Sequence, residues 1–219
     1  MTCCIFGCKK RMNINLNKTS WYPVDVFDCN IDTSFCDRVI KFVEEEKHNW
    51  EKDLDYVKAT TTGYDGIRYP IIKEISEFIC SKILPVIGQS NNWKYNNWWT
   101  KSAWINFYQK GDAAVPHCHY LDHYSAVLII KPAEGNLVFV DPRKMLSMDP
   151  KFVQHYEQRI NEEAGKLILF PNYLMHYVTP CESERITVAF NFQNDFRIHN
   201  DTQKTIDEAS EKFMKHYEK

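Results

Sequence analysis

Val115-Pro-His-Cys-His-Tyr120 sets two histidines, His117 and His119, two positions apart. On an extended strand that spacing sends both imidazoles out of the same face, where they can grip one ion. Phe170-Pro-Asn-Tyr-Leu-Met-His176 supplies a third histidine 57 residues after His119, able to close a metal site. Glu184-Arg-Ile-Thr187 comes next, with Arg185 opening a strand-like run where its planar fork suits a carboxylate. The pattern is that of a mononuclear metal site beside a place for an acidic ligand. It needs a fold that brings distant strands together.

The sequence around these residues supplies such strands. In Trp104-Ile-Asn-Phe-Tyr108 the period is two: Trp104, Asn106 and Tyr108 share one face, Ile105 and Phe107 the other. Lys110-Gly-Asp112 turns the chain into the two-histidine strand. Tyr124 to Ile130 is apolar on both faces and reads as a central strand. Gly135-Asn136 is a turn, Leu137 to Val140 a short strand leading into Asp141-Pro-Arg143, and Gly165 to Pro171 a strand with a proline stop. Arg185 to Phe192 is the last strand. Its Ile186, Val188, Phe190 and Phe192 point away from Arg185 and Thr187, giving an apolar back and a polar front. Short strands around one metal site fit a mainly β, α+β fold with a double-stranded β-helix core, the cupin-like jelly roll that holds ligands in its mouth.

The first hundred residues read as helical support. Ser34-Phe-Cys-Asp37 has capping-box spacing, and Phe35, Val39, Phe42 and Val43 recur on one helix face running to about Lys47. Glu51 to Tyr69, with its threonines, Gly63 and Gly66, reads as a long loop. Pro70 suits a first helical position, with Ile72, Ile75, Phe78, Ile79 and Ile83 as the apolar stripe of a helix that stops near Pro85. The tryptophans from Trp93 to Trp99 suit packing better than a pocket. Residues 144–163 read as a polar, exposed, helical insertion, and Thr202 to Glu218 as a charged surface helix. The expected organisation is one domain over 1–219: mostly helical support in 1–99, the β-helix core in 100–193, and a tail with a C-terminal helix in 194–219.

Composition narrows the function classes. A net charge of −2 provides no broad basic field for nucleic acid or an anionic membrane. No apolar run approaches the roughly 20 residues of a membrane span, and the N-terminus has no secretory core. A soluble, cytoplasmic protein is expected. The eight cysteines are spread along the chain and read as reduced thiols. Cys3, Cys4 and Cys8 lack a second pair at zinc-ligand spacing nearby, and a frayed terminus is the simpler reading.

Trp104-Ile-Asn, Gly111-Asp, His117-x-His119, Ser125-Ala-Val, Leu137-Val-Phe-x-Asp-Pro-Arg143, Gly165-x-Leu-x-x-Phe-Pro171, His176 and Arg185-Ile-Thr-x-x-Phe-Asn191 together resemble the 2-oxoglutarate and Fe(II)-dependent oxygenase family common in phages and marine bacteria. The resemblance implies an enzyme using Fe(II), 2-oxoglutarate and O2. It would decarboxylate 2-oxoglutarate to succinate and oxidise a substrate C–H bond, as a hydroxylase does. It implies His117 and His176 as metal ligands and Arg185 as the partner of the distal carboxylate of 2-oxoglutarate. Thr187, Tyr108 and Asn106 would assist there. The substrate would be a small molecule or a protein side chain.

The departure is at His119, where the wider superfamily has a carboxylate. If His119 binds, the site is three neutral imidazoles; Asp122 is the alternative third ligand, given a bulge to carry it onto the metal. Asp141 reads as capping a turn or contacting Arg143. A three-histidine site resembles thiol dioxygenases too, so two other functions stand beside the first: a dioxygenase independent of 2-oxoglutarate, and a non-catalytic module binding metal and carboxylate. His48, His155, His199 and His216 read as structural, and His123 as merely near the site.

Overall fold

A computed structural model of the chain describes residues 2–4, 11–13, 16–21, 24–54, 56–91, 97–119, 122–133, 137–142 and 157–194. Four strands and a helix open the chain: β1 (Thr2–Cys4), β2 (Arg11–Asn13), β3 (Asn17–Trp21), β4 (Val24–Asn30) and α1 (Thr33–Glu46). A hairpin of β5 (Glu51–Leu54) and β6 (Val57–Thr61) precedes α2 (Pro70–Phe78) and α3 (Leu84–Ser90). The core strands are β7 (Trp98–Tyr108), β8 (Ala113–His117), β9 (Tyr124–Lys131), β10 (Leu137–Val140), β11 (Glu157–Arg159), β12 (Lys166–Pro171), β13 (His176–Val178) and β14 (Arg185–Asn194). Apart from the separate β1–β2 pair, they form one curled sheet in the order β11-β10-β13-β8-β6-β7-β14-β9-β12-β4-β3, with β5 paired to β6. This is the expected double-stranded β-helix.

β14 lies between β7 and β9 and pairs with both. Its alternation divides the molecule's two cores. Ile186, Val188, Phe190 and Phe192 join Ile105 and Phe107 under the helices, packed with Phe35, Val39, Ile72 and Ile75. Inside the curl a second cluster contains Val57, Tyr108, Phe139, Ile168 and Phe170. Each large apolar side chain so enclosed stabilises the fold by about 1.5–3 kcal/mol relative to exposure.

Several expectations from sequence change. The cap of α1 is Asp32, whose carboxylate accepts from Ser34 N at 2.9 Å, two residues ahead of the Ser34 box. The second helical stretch does not stop at Pro85. Proline cannot donate to the carbonyl four residues back, and Ile79–Ile83 opens into a π-helical turn before α3 carries on to Ser90. The supposed loop from Glu51 to Tyr69 is largely sheet, because Val57, Ala59 and Thr61 alternate inward and β6 bridges β7 and β8. The first hundred residues therefore contribute β3, β4, β5 and β6 to the sheet as well as helices.

Trp98 is buried in the helix-side core and Trp99 is exposed, so neither walls a pocket; Trp93 lies outside the described residues. The insertion around 149–156, Arg143, the Gly135-Asn136 turn, the C-terminal helix and the side chains of Cys3, Cys4 and Cys8 also lie outside them. Residues 157–163 are described and are not helical: β11 extends β10, Ile160 is buried, and Glu157, Arg159, Asn161 and Glu163 are exposed as expected. Among the described residues no helix is long and apolar enough to cross a membrane.

Gly165 fixes the join between α1 and the sheet. Its φ of 85° suits glycine, and a Cβ there would stand 2.5 Å from Ile31 O. Ile31 N donates to Gly165 O at 2.7 Å, and Gly165 N to Ile129 O at 2.8 Å.

Candidate metal and cosubstrate site

β8 and β13 pair antiparallel with His117 directly opposite His176, which brings two imidazoles to a centroid separation of 4.3 Å. His119 is not on the strand, since β8 ends at His117. Asn172 holds it instead: His119 N donates to Asn172 O at 2.9 Å, and Asn172 Nδ2 donates to His119 O at 3.0 Å. The turn between β12 and β13 thus grips the loop after β8 from both sides. One ring nitrogen from each of His117, His119 and His176 lies within 4.8 Å of the others, although no same-face strand geometry is involved for His119.

The outer nitrogens are committed. Nδ1 of His117 donates to Val115 O at 2.7 Å, and Nδ1 of His176 to Leu174 O at 2.8 Å, which leaves each Nε2 with its lone pair. Nε2 of His119 stands 3.3 Å from Nε2 of His176. Two nitrogens each about 2.1 Å from one metal and at right angles to each other lie about 3 Å apart, so the spacing suits a shared ion. Nδ1 of His119 faces Asn191 Nδ2 at 3.3 Å; that amide also contacts Ser102 Oγ at 3.1 Å and accepts from Ser125 Oγ at 2.9 Å.

Burial keeps these rings neutral, as ligation requires. It presses His119 down to about 4, with His117's charge adding to the effect; it lowers His117 and holds His176 well below its ordinary value. Tyr56 stacks on His117 with centroids 3.8 Å apart and meets His119 edge-on at 6.2 Å. Trp104, itself edge-on to Tyr64, tilts against His119.

The histidines open onto a cavity whose wall carries Arg185, Thr187, Tyr108 and Asn106. All four are buried. Register explains their company: Arg185 pairs with Tyr108 and Thr187 with Asn106 across β14 and β7. Burial pushes the Tyr108 phenol up to about 12, so it keeps its proton to donate. Asn106 Oδ1 is buried without a hydrogen-bond partner among the described residues, a group that calls for a donor from water or ligand. Arg185 itself already holds a carboxylate. Its Nε and Nη2 donate to the two oxygens of Glu162 at 2.8 and 2.6 Å.

Other expected residues stand apart from the histidines. Asp122 pairs with Lys101 Nζ at 2.9 Å and is not among the three metal-competent residues. Asp141 is buried at the end of β10. His123 accepts from Asn194 N at 3.0 Å, a structural contact. Burial raises the Cys181 thiol to about 11, which leaves it no nucleophile at neutral pH. Three site residues escape a sequence reading. Tyr56 sits in the stretch taken for a loop, where the inward alternation of Val57, Ala59 and Thr61 was the available signal. Asn191 lies in the quoted motif, but only the loop after β8 brings His119 to it. Nothing in Asn161-Glu-Glu-Ala164 marks the first glutamate as the buried one.

Residues 102–191 match the family model described as "Putative 2OG-Fe(II) oxygenase". No curated protein matches the chain in sequence. Among solved structures, a Pseudomonas putida prolyl-4-hydroxylase is similar with a TM-score of 0.57 at 12% identity, over 81% of this chain and 91% of that one. HygX from Streptomyces hygroscopicus, with nickel, 2-oxoglutarate and hygromycin B bound, gives 0.54 at 10% identity over 78% and 83%. A Trichoplax adhaerens prolyl hydroxylase in complex with a hypoxia inducible factor peptide fragment gives 0.53 at 12% identity over 77% and 84%. Those likenesses are of fold. The match over residues 102–191, which build the β-helix core, is a similarity to the 2-oxoglutarate- and Fe(II)-dependent oxygenases.

Proposed function

We propose that His117, His119 and His176 hold Fe(II) through their Nε2 atoms, and that the chain hydroxylates a substrate C–H bond at the expense of 2-oxoglutarate. The observation that carries this is the convergence of one ring nitrogen from each of the three histidines, with Nδ1 of His117 and of His176 tied to a backbone carbonyl. Bound iron would supply O2 activation coupled to decarboxylation of the 2-oxo acid. The chain's own groups do the rest: the imidazoles leave open positions for cosubstrate and O2, Arg185 receives the distal carboxylate, and Tyr108 and Thr187 offer hydroxyls beside it. Asn106 lends its unpartnered oxygen to a donor in the cavity.

Tyr56, Tyr64 and Trp104 form an aromatic side to the mouth, suited to an apolar or ring-bearing substrate. The peptide in the Trichoplax complex and the hygromycin B in HygX support keeping both a protein side chain and a small molecule as substrate classes. Free thiols at Cys29, Cys36, Cys80, Cys118 and Cys181 support a reducing, cytoplasmic setting.

The test is succinate release by protein supplied anaerobically with Fe(II) and 2-oxoglutarate and then given O2. Slow uncoupled turnover is expected without substrate. The Arg185–Glu162 pair favours a second reading, a three-histidine centre that does not use 2-oxoglutarate, and complete absence of succinate would overturn the first.

A further inference from the structure

Glu162 is a fully made carboxylate site whose occupant belongs to the chain. Its Oε2 accepts from Arg185 Nε at 2.8 Å, and its Oε1 from Arg185 Nη2 at 2.6 Å and from Leu137 N at 2.8 Å. Both side chains of the pair are 1% exposed. Every other ion pair among the described residues has at least one partner 40% or more exposed, so this pair alone of them is enclosed. A buried guanidinium and carboxylate that satisfy each other leave that end of the cavity electrically neutral.

Charge then decides what the cavity prefers. The three imidazoles are neutral, so Fe(II) would keep both positive charges at the metal end, while Arg185 has already spent its own on Glu162. A 2-oxo acid with an anionic tail brings a second carboxylate to the neutral end, where it meets a like charge. One with an uncharged tail meets no such opposition. Resting on the cosubstrate reading above, we propose that Glu162 is a specificity-determining residue that competes with the distal carboxylate of 2-oxoglutarate for Arg185. The dianion binds by driving Glu162 off the guanidinium, and the chain discriminates weakly between dianionic and monoanionic 2-oxo acids.

The displacement has a marker. Leu137 N loses its acceptor when Glu162 leaves, and Leu137 sits on β10, the strand that pairs Phe139 with His176. Cosubstrate arrival is therefore registered one strand from a metal-competent histidine.

The experiment uses the full chain loaded with Ni(II), with calorimetric titration of 2-oxoglutarate and of 2-oxopentanoate into wild type and Glu162→Gln. The amide keeps the shape and removes the charge. The affinity ratio of 2-oxoglutarate to 2-oxopentanoate should rise by at least about tenfold in the variant, the low end for relieving a like-charge contact; a smaller change overturns the proposal. Should the variant not fold, hydrogen exchange on wild type decides. The Leu137 amide should exchange faster with 2-oxoglutarate than with 2-oxopentanoate, and equal protection overturns displacement. Binding of neither acid to wild type defeats the cosubstrate reading and this one with it, whereas binding of both with an unchanged ratio defeats only the role of Glu162.

Discussion

Asn191 stands 3.3 Å from Nδ1 of His119, the one imidazole of the three whose outer nitrogen meets a side chain rather than a backbone carbonyl. An amide can serve this ring in either sense. With its NH2 toward Nδ1, the ring proton sits on Nε2 and is given to His176; with its carbonyl toward Nδ1, Nε2 is freed for a metal, and the NH2 turns to Ser125.

Asn191 should therefore set metal affinity. Asn191→Leu, unable to accept from Nδ1, is expected to weaken Co(II) or Ni(II) binding by about 10–100-fold, whereas Asn191→Asp should retain it. Metal titration followed by absorbance or calorimetry reads this directly. A leucine variant that binds as tightly as wild type would show that His119's tautomer does not matter.

His119 and Asp122 make opposite predictions as the third ligand. His119→Ala should lose most bound Fe(II) after dialysis, while Asp122→Asn should keep it, because Asp122 spends its charge on Lys101. Metal content by elemental analysis separates them; loss in the Asp122 variant with retention in the His119 variant would reverse the assignment.

The metal-free protein should weaken in mild acid. His119 is depressed from an ordinary 6.5 to about 4, and His117 and His176 are lowered too, in each case mainly by burial. The unfolded chain then takes up protons that the folded chain refuses, so stability is complete above about pH 6.5 and falls as pH drops toward 4. Urea midpoints across that range should decline, and a flat profile would mean the rings are not buried neutral. Metal binding should weaken over the same interval, since protons compete for Nε2.

Gly165→Ala should cost more than Gly111→Ala. Both glycines have φ 85°, but a Cβ at Gly165 meets Ile31 O at 2.5 Å and one at Gly111 meets nothing within 4 Å. Backbone strain of about 1–3 kcal/mol applies to each, and displacement of the α1 junction adds to it at Gly165 alone. Thermal or urea unfolding of the pair checks the order.

Period-two alternation was enough to read β7 and β14, because each has one face on apolar core and one on the cavity, and the residues Trp104 to Tyr108 and Arg185 to Phe192 sort themselves accordingly. His117 and His176 stand out as histidines at strand ends, whereas His119, expected beside His117 on one strand face, reaches the site from the loop after β8. β6 was hidden by its threonines and flanking glycines, which read as loop although Thr61 is fully enclosed. The Arg185–Glu162 pair had no local signal. Burial of one glutamate among polar neighbours is decided by where β11 lands on β10, a long-range event that spacing does not encode.

β14 has a consequence for how this scaffold can change. Residues 185, 187 and 189 line the cavity while 186, 188, 190 and 192 lie in the core, so deleting a single residue within that span would put guanidinium and hydroxyl into hydrocarbon and bare aromatic rings to the cavity. Substitutions there can be absorbed one at a time, but a change in count cannot. New reactivity can enter this framework through side chains or through the connections beyond the strand ends, while the length between Arg185 and Asn191 stays as it is.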